Sequence, residues 1–233
     1  MRLNRRAYQT VTLAAAEGGV SIRLDDKDLT TPGGRALILP NRALAEAIAA
    51  EWAAQEATIR PETMPLTQLA ATALDRIAPE RAGIAKAVLA YGGTDLLCYR
   101  ADAPADLAER QSAAWQPLLD WAETRLGARL IPTPGILAIA QPPASLAALA
   151  AHLDRLDIWR LSAVQAATAA SGSLILALAL AEGRIDGAGQ FTLCQLDETY
   201  QAERWGETEE AKPRRDALAA DLAAAARFLD LLR

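Results

Sequence analysis

The sequence predicts an α+β protein: a small N-terminal antiparallel β meander with a covering helix, followed by a larger all-α helical-bundle domain. Three observations predict it. Residues 8–40 alternate apolar and polar side chains and are punctuated by Gly18-Gly19 and Pro32-Gly33-Gly34, as short half-buried strands and their turns are. From Asn41 onward the apolar residues recur every three or four positions instead, which is the helical period. Within that region Leu161 to Gly183, LSAVQAATAASGSLILALALAEG, is a long run uncharged up to Glu182 and apolar on every side from Leu174 to Ala181. A helix apolar all round is a buried one, so this run is expected to be a central helix, starting near Asp157 and ended by Gly183 in the left-handed conformation.

The elements follow in order. Val11 and Leu13 alternate in a first strand over Tyr8 to Leu13, and Val20, Ile22 and Leu24 in a second. Asp25 to Asp28 reads as a polar turn, Leu29 to Thr31 as a short return and Ala36 to Leu39 as a last short strand. Asn41 is a good N-cap for a helix with Leu44, Ile48 and Trp52 on one face, which covers the meander. Residues 55–62 read as a linker, giving a β-rich domain over 1–60 and a helical domain over 61–233.

Pro65 opens a helix carrying Leu66, Leu69, Ala70, Ala73, Leu74 and Ile77, and Pro79 another carrying Ile84, Val88 and Tyr91. Residues 95–99, DLLCY, fit a short strand or a helical turn. Pro104 begins a helix through Gln111 and Trp115 that is expected to kink at Pro117, where a backbone donor is missing. Residues 128–141, with Pro132, Pro134 and Gly135, supply extended segments. Ser145 is expected to cap a helix through Leu156, GRIDGAG (183–189) to be a loop, and Phe191 to Arg204 to form one helix with Leu193, Leu196 and Tyr200 on a face. The last helix carries Leu218, Leu222, Ala225, Leu229 and Leu232 on one stripe, with Glu207, Glu209 and Glu210 near its start, where the helix dipole favours acids.

The 233 residues carry a formal net charge of -5, which argues against nucleic acid as a partner, because phosphate binding calls for a basic face. The one basic cluster, Arg2, Arg5 and Arg6, reads as a solvated terminus. The uncharged run is too interrupted, by Gln165, Thr168 and Ser171, to span a bilayer, and no secretory h-region opens the chain. A cytoplasmic location without membrane insertion is expected. Cys98 and Cys194 stand far apart in apolar surroundings and read as buried free thiols.

No motif for chemistry emerges. His152 is the single histidine and reads as a boundary residue, so a paired-histidine zinc site is out of reach. Ser171-Gly172-Ser173 is no nucleophile elbow, and no phosphate-cradling glycine loop is present. The pairs Asp197-Glu198 and Glu209-Glu210 are sequence neighbours, which do not face each other on a helix. No catalytic, cofactor or metal-binding residue is assigned, and the chain is expected to act by binding rather than catalysis. The alternative is a small soluble enzyme whose carboxylates, Asp95 or Asp157, come together only in the fold.

Eight segments in order, LDDKDLTTPGGRALILP (24–40), AEAIAAEWAAQ (45–55), TMPLTQLAATALD (63–75), YGGTDLLCYRA (91–101), QSAAWQPLLDWAETRLGA (111–128), QP (141–142), ASGSLILALAL (170–180) and YQAERWGETEEA (200–211), resemble the bacterial form of the assembly chaperones that escort the alpha subunit of F1-ATPase. LDDKD departs from the family's usual pattern by lacking a turn glycine. The resemblance implies transient binding of the unassembled alpha subunit of the ATP synthase F1 sector, shielding its inter-subunit surface until a beta subunit replaces the chaperone, with no ATP hydrolysis and no cofactor. Nothing in the sequence demands an oligomer, and a monomer is expected. Aromatic residues and arginine dominate interface energetics. The candidate partner-binding residues are therefore Trp205, which lies outside a regular apolar stripe, and its neighbours Glu203, Arg204 and Glu210. Trp52 and Trp115 fall on core stripes and read as structural.

Overall fold

The computed structural model describes residues 5–135 and 137–233, so Arg2 of the basic cluster and Ile136 lie outside the described residues. The chain packs as two compact units. One comprises the described residues up to Arg81 with Ile158–Ala163 and Arg227–Arg233; the other comprises Ala82–Asp157 and Val164–Ala226.

In the first unit, β1 (Val11–Ala16) and β2 (Gly19–Leu24) form an antiparallel hairpin with Val11 opposite Leu24 and Ala16 opposite Gly19. β3 (Lys27–Asp28) and β4 (Ile38–Leu39) pair antiparallel with the other edge of β2, at opposite ends of it. The return strand therefore starts earlier than the expected Leu29. Asp25, at φ 52, closes a tight turn, and its carboxylate accepts the Gln9 and Thr10 amides at 3.0 and 2.8 Å. β4 can approach β2 only because residue 19 is glycine: a Cβ there would meet the Leu39 carbonyl oxygen at 2.0 Å.

Helix α1 (Arg42–Ala53) covers β1 and β2 with Leu44, Ala45 and Ile48 buried. Asn41 caps it as expected, accepting the Leu44 amide at 2.9 Å. Trp52 is half-buried and lies 5.9 Å from the Tyr8 ring. The Gln55 side chain pins the chain beyond α1, accepting the Arg60 amide at 2.7 Å and donating to the Thr63 hydroxyl at 3.0 Å. The Glu51 carboxylate accepts the Leu66 and Thr67 amides, each at 2.8 Å, and so serves the start of α2 (Pro65–Thr72). A π turn over Ala73–Ile77 follows, then α3 (Ala78–Gly93), whose backbone departs from helical geometry at Glu80, one residue after Pro79.

In the second unit, residues 95–99 turn out to be both things the sequence allowed. A 3-10 turn over Leu96–Cys98 leads into β5 (Tyr99–Arg100), which pairs parallel with β6 (Thr133–Pro134). Helix α4 (Ala105–Trp121) runs through Pro117 and ends in a second π turn, Ala122–Leu126, closed by Gly127 at φ 70. In α5 (Pro143–Arg155), Ser145 is no cap. It lies in the first turn, and its hydroxyl donates to the Arg129 carbonyl at 2.6 Å.

The expected central helix is two helices, α6 (Ile158–Ser171) and α7 (Leu174–Ala181). Gly172 adopts φ 71 and ends α6, and Ser173 caps α7 by accepting the Leu176 amide at 3.0 Å. Residues Leu174 to Leu180 are all buried, as their all-round apolarity requires. Gly183, at φ 72, ends α7 as expected, with the Gly183 amide on Leu180 O and the Arg184 amide on Ala179 O. The expected loop 183–189 is partly helical: Asp186 accepts the Gly189 amide at 2.7 Å and caps α8 (Gly187–Cys194). The single helix expected over 191–204 is likewise divided at Gln195, where α9 (Leu196–Trp205) begins. Helix ends leave carbonyls without internal partners, and the Trp115 indole donates to that of Leu193 at 2.9 Å. Helix α10 (Ala211–Leu231) closes the chain. Among the described residues no helix is long and apolar enough to cross a membrane.

Candidate functional site

Helix α9 presents an apolar–charged stripe at its C-terminal end. Its Tyr200 is buried and packs toward α4, and side-chain links tie the two helices. The Tyr200 hydroxyl donates to Asp106 at 2.8 Å, Arg204 donates to the other oxygen of Asp106, and Arg110 pairs with Glu203 at 2.6 Å. The Arg204 and Arg110 guanidiniums lie 4.6 and 5.3 Å from the Tyr200 ring. The Tyr200 hydroxyl and then Arg204 hold the Asp106 carboxyl below the usual carboxylate range. Deeper in the same interface Gln111 accepts the Ala101 amide at 2.7 Å and donates to Asp197 at 2.8 Å.

At the end of this braced helix stands Trp205, 75% exposed. Gly206, at φ 81, reverses the chain directly after it. The following turn is tied back by Glu207 to Arg215 at 3.3 Å, and Arg215 also donates to the Thr199 hydroxyl at 3.2 Å. Between α9 and the start of α10 lies an open groove of about 420 Å³, lined by Glu198, Ala202, Gly206, Arg214 and Leu218 among others. Of the four candidates, the structure brings Glu203 and Arg204 together in the brace under Trp205, while Glu210 is exposed beyond Gly206. The sequence did not reveal the partners Asp106 and Arg110, which lie 93 to 98 positions away.

The other tryptophan readings hold for Trp115, which is 1% exposed. Trp52 is half-buried and lines a second, apolar groove with Leu29, Leu37, Ile59 and Met64. Three more large apolar side chains, Ile131, Leu137 and Ile139, are exposed between Gly127 and α5, in the segment that Pro132, Pro134 and Gly135 mark as extended.

The two carboxylates of the enzyme alternative are not a pair. Asp95 is sealed from solvent and Asp157 is exposed. Asp95 accepts the Ser173 hydroxyl at 2.7 Å, the Ile175 amide at 3.0 Å and the Leu97 amide at 3.1 Å. Burial pushes its carboxyl up to about 6, against those hydrogen bonds. Cys98 and Cys194 are buried and free, as expected, and burial pushes each thiol up to about 12. His152 is half-buried and lies 2.7 Å from Arg155 through Nδ1. Among the described residues no group of three metal-ligating side chains converges.

A small antiparallel sheet under one helix, joined to a mostly helical remainder that displays an exposed tryptophan, has close counterparts among known proteins. Residues 5–123, just over half of the chain, match the family described as ATP12 chaperone protein, and the chain belongs to that family. Over 99% of its length it superposes on the crystal structure of Atp12 from Paracoccus denitrificans, covering 99% of that chain at 43% identity and a TM-score of 0.94. The Atu1473 protein from Agrobacterium tumefaciens is 42% identical, with 99% of this chain and 87% of that one covered and the same TM-score of 0.94. The mitochondrial protein atp12 of Schizosaccharomyces pombe is 27% identical over 219 residues, 89% of this chain and 75% of the relative.

Proposed function

We propose that this protein is a non-catalytic assembly chaperone of ATP synthase, which binds the unassembled alpha subunit of the F1 sector and shields its inter-subunit surface until a beta subunit takes its place. Membership of a family named for a chaperone supports the reading. The observation that carries the binding site is Trp205, a large aromatic left exposed at the end of a helix whose neighbouring charges are already paired. An aromatic held out on a rigid support loses little freedom when covered, which favours it as an anchor. In this reading Glu203 and Arg204 position Trp205, and Glu210 contributes at the rim. The protein works as a cytoplasmic monomer, inserts in no membrane and hydrolyses no ATP.

Co-expression with the alpha subunit of the same organism, followed by capture of the chaperone, tests this directly, with the beta subunit as control. Selective capture of alpha and its displacement by beta are expected. Absence of alpha at low and moderate salt would overturn the proposal.

A further inference from the structure

The sheet of the first unit ends in an unpaired edge. β1 is its outermost strand, bonded to β2 on one side only. The tight turn at Glu17-Gly18 makes Ala16 and Gly19 a hydrogen-bonded pair, and the Asp25 amide on Thr10 O at 2.9 Å shows the same phase at the other end of the hairpin. Thr12, Ala14 and Ala16 therefore turn their N–H and C=O groups toward β2, and those of Val11, Leu13 and Ala15 point away from the sheet. Ile22, opposite Leu13, obeys the same alternation: its carbonyl accepts the Leu29 amide at 2.8 Å on the far edge of β2. Among the described residues nothing bonds to the outward groups of Val11, Leu13 and Ala15. Ala15 is exposed, and Val11 and Leu13 are half-buried.

Proteins blunt such edges with Lys, Pro, a bulge or a covering loop, because a free edge is a template for another strand. β1 has none of these: VTLAAA carries no charge and no proline, and it pairs with β2 without a break in register. Outward donors and acceptors alternating over about 20 Å of strand match an extended backbone with the complementary alternation. A helix satisfies its own backbone groups and cannot supply them. Alanine at 14, 15 and 16 leaves room for larger side chains on an added strand, at a shallow depression of about 310 Å³ that these alanines line with Ser21 and Ile38. The ends of the edge are acidic, with Glu17 at one and Asp25-Asp26 at the other, and the Glu17 and Asp26 carboxylates pair with no cation among the described residues. A second copy fits poorly. Antiparallel pairing centred on Leu13 sets Glu17 of each copy opposite Gln9 of the other, whose amide is held by Asp25, so acids meet at both ends. We propose that the free edge of β1 receives an extended segment of the client as an added strand, a run of uncharged large or β-branched residues flanked by Lys or Arg. This rests on the reading of the protein as a chaperone of the alpha subunit, and gives that partner a contact besides Trp205.

Amide exchange in the full chain, alone and in complex with the alpha subunit, reads the edge directly. The Val11, Leu13 and Ala15 amides should exchange fast in the chaperone alone and slow by about tenfold or more in the complex, the worth of one hydrogen bond each. The Thr12 and Ala14 amides, already bonded to β2, should change less. Ala15→Pro removes one outward donor and keeps every bond to β2; it should weaken affinity for alpha about 10- to 100-fold, whereas Ala15→Val, which keeps the donor, should bind as the wild type does. Protection at Thr12 and Ala14 verifies that the hairpin of Ala15→Pro stands, and if it does not, the exchange comparison decides alone. Glu17→Lys should weaken binding about two- to fivefold at low salt. A complex in which the three outward amides stay fast would overturn the added strand and leave the chaperone reading standing, while failure to form any complex would overturn both. Slowing of the same amides in the chaperone alone as its concentration rises would give the edge to a second copy and overturn the proposal. Equal affinities of Ala15→Pro and Ala15→Val, with the hairpin intact, would do the same, as would a Glu17→Lys complex as tight as the wild type at low salt.

Discussion

Replacing Trp205 with alanine separates binding from folding. A tryptophan offers up to about 250 Å² of surface, and Trp205 is 75% exposed, which leaves about 190 Å² for a partner. At about 25 cal/mol per Å² that area corresponds to about 4–5 kcal/mol. Ordering and imperfect desolvation at the interface take part of this, leaving about 2–4 kcal/mol, the size of a binding hot spot. Affinity for the alpha subunit should therefore weaken about 30- to 1000-fold. The fold should lose no more than about 1 kcal/mol, since little of the ring is covered within the chain. Trp115→Ala is the contrasting variant: at 1% exposure, and with the Leu193 carbonyl left unpaired, it should cost about 3–5 kcal/mol of stability. Calorimetric titration against alpha and denaturant unfolding of both variants read the two effects. Wild-type affinity in Trp205→Ala, or a loss of stability matching that of Trp115→Ala, would refute Trp205 as an exposed anchor.

Gly19→Ala places a Cβ 2.0 Å from the Leu39 carbonyl, so urea unfolding should report a loss of about 3 kcal/mol or more through displacement of β4. Both cysteines should resist a thiol reagent in the native protein at pH 8 and react fully in denaturant, because a thiol pushed up to about 12 offers no thiolate; reaction of either before unfolding would contradict its burial. For Asp75, burial raises the carboxyl but hydrogen bonds from Thr31, Gly33 and Arg35 outweigh it, so the folded value lies below the ordinary one. Its stabilisation is present above the ordinary carboxylate value and lost as the pH falls through the lowered one. Asp95, with a raised value, contributes the opposite slope, fully present below its ordinary value and lost as the pH rises through about 6. Melting temperatures from pH 2 to 8 should show the acid-side slope flattened in Asp75→Asn; an unchanged slope would exclude the Thr31–Gly33–Arg35 network as its source.

What could be read from the sequence depended on whether a single local rule governed each place. Asn41, Gly183 and the all-round apolar Leu174 to Leu180 each obey one rule and behave accordingly. Ser171-Gly172-Ser173 obeys two: small residues allow close helix packing, and the same residues end one helix and cap the next. The choice is made by Asp95, 78 positions away, which a helical-period reading does not see. Asp186 was hidden for a similar reason, because flanking glycines suggested a loop while its carboxylate was in place to cap α8. At the candidate site, Trp205 was legible because it falls outside any apolar stripe. The bracing by Asp106 and Arg110 was not, since it depends on which helix faces α9.

The two π turns, Ala73–Ile77 and Ala122–Leu126, carry a consequence for how such chains diverge. A π turn accommodates one residue more than an α turn without unwinding the helix. At these two places a single-residue deletion can be absorbed by restoring ordinary α pitch while the flanking core contacts stay in phase. Length differences of one residue among relatives should therefore gather there, rather than in the interior of α7, where a deletion would rotate every following side chain by about 100°.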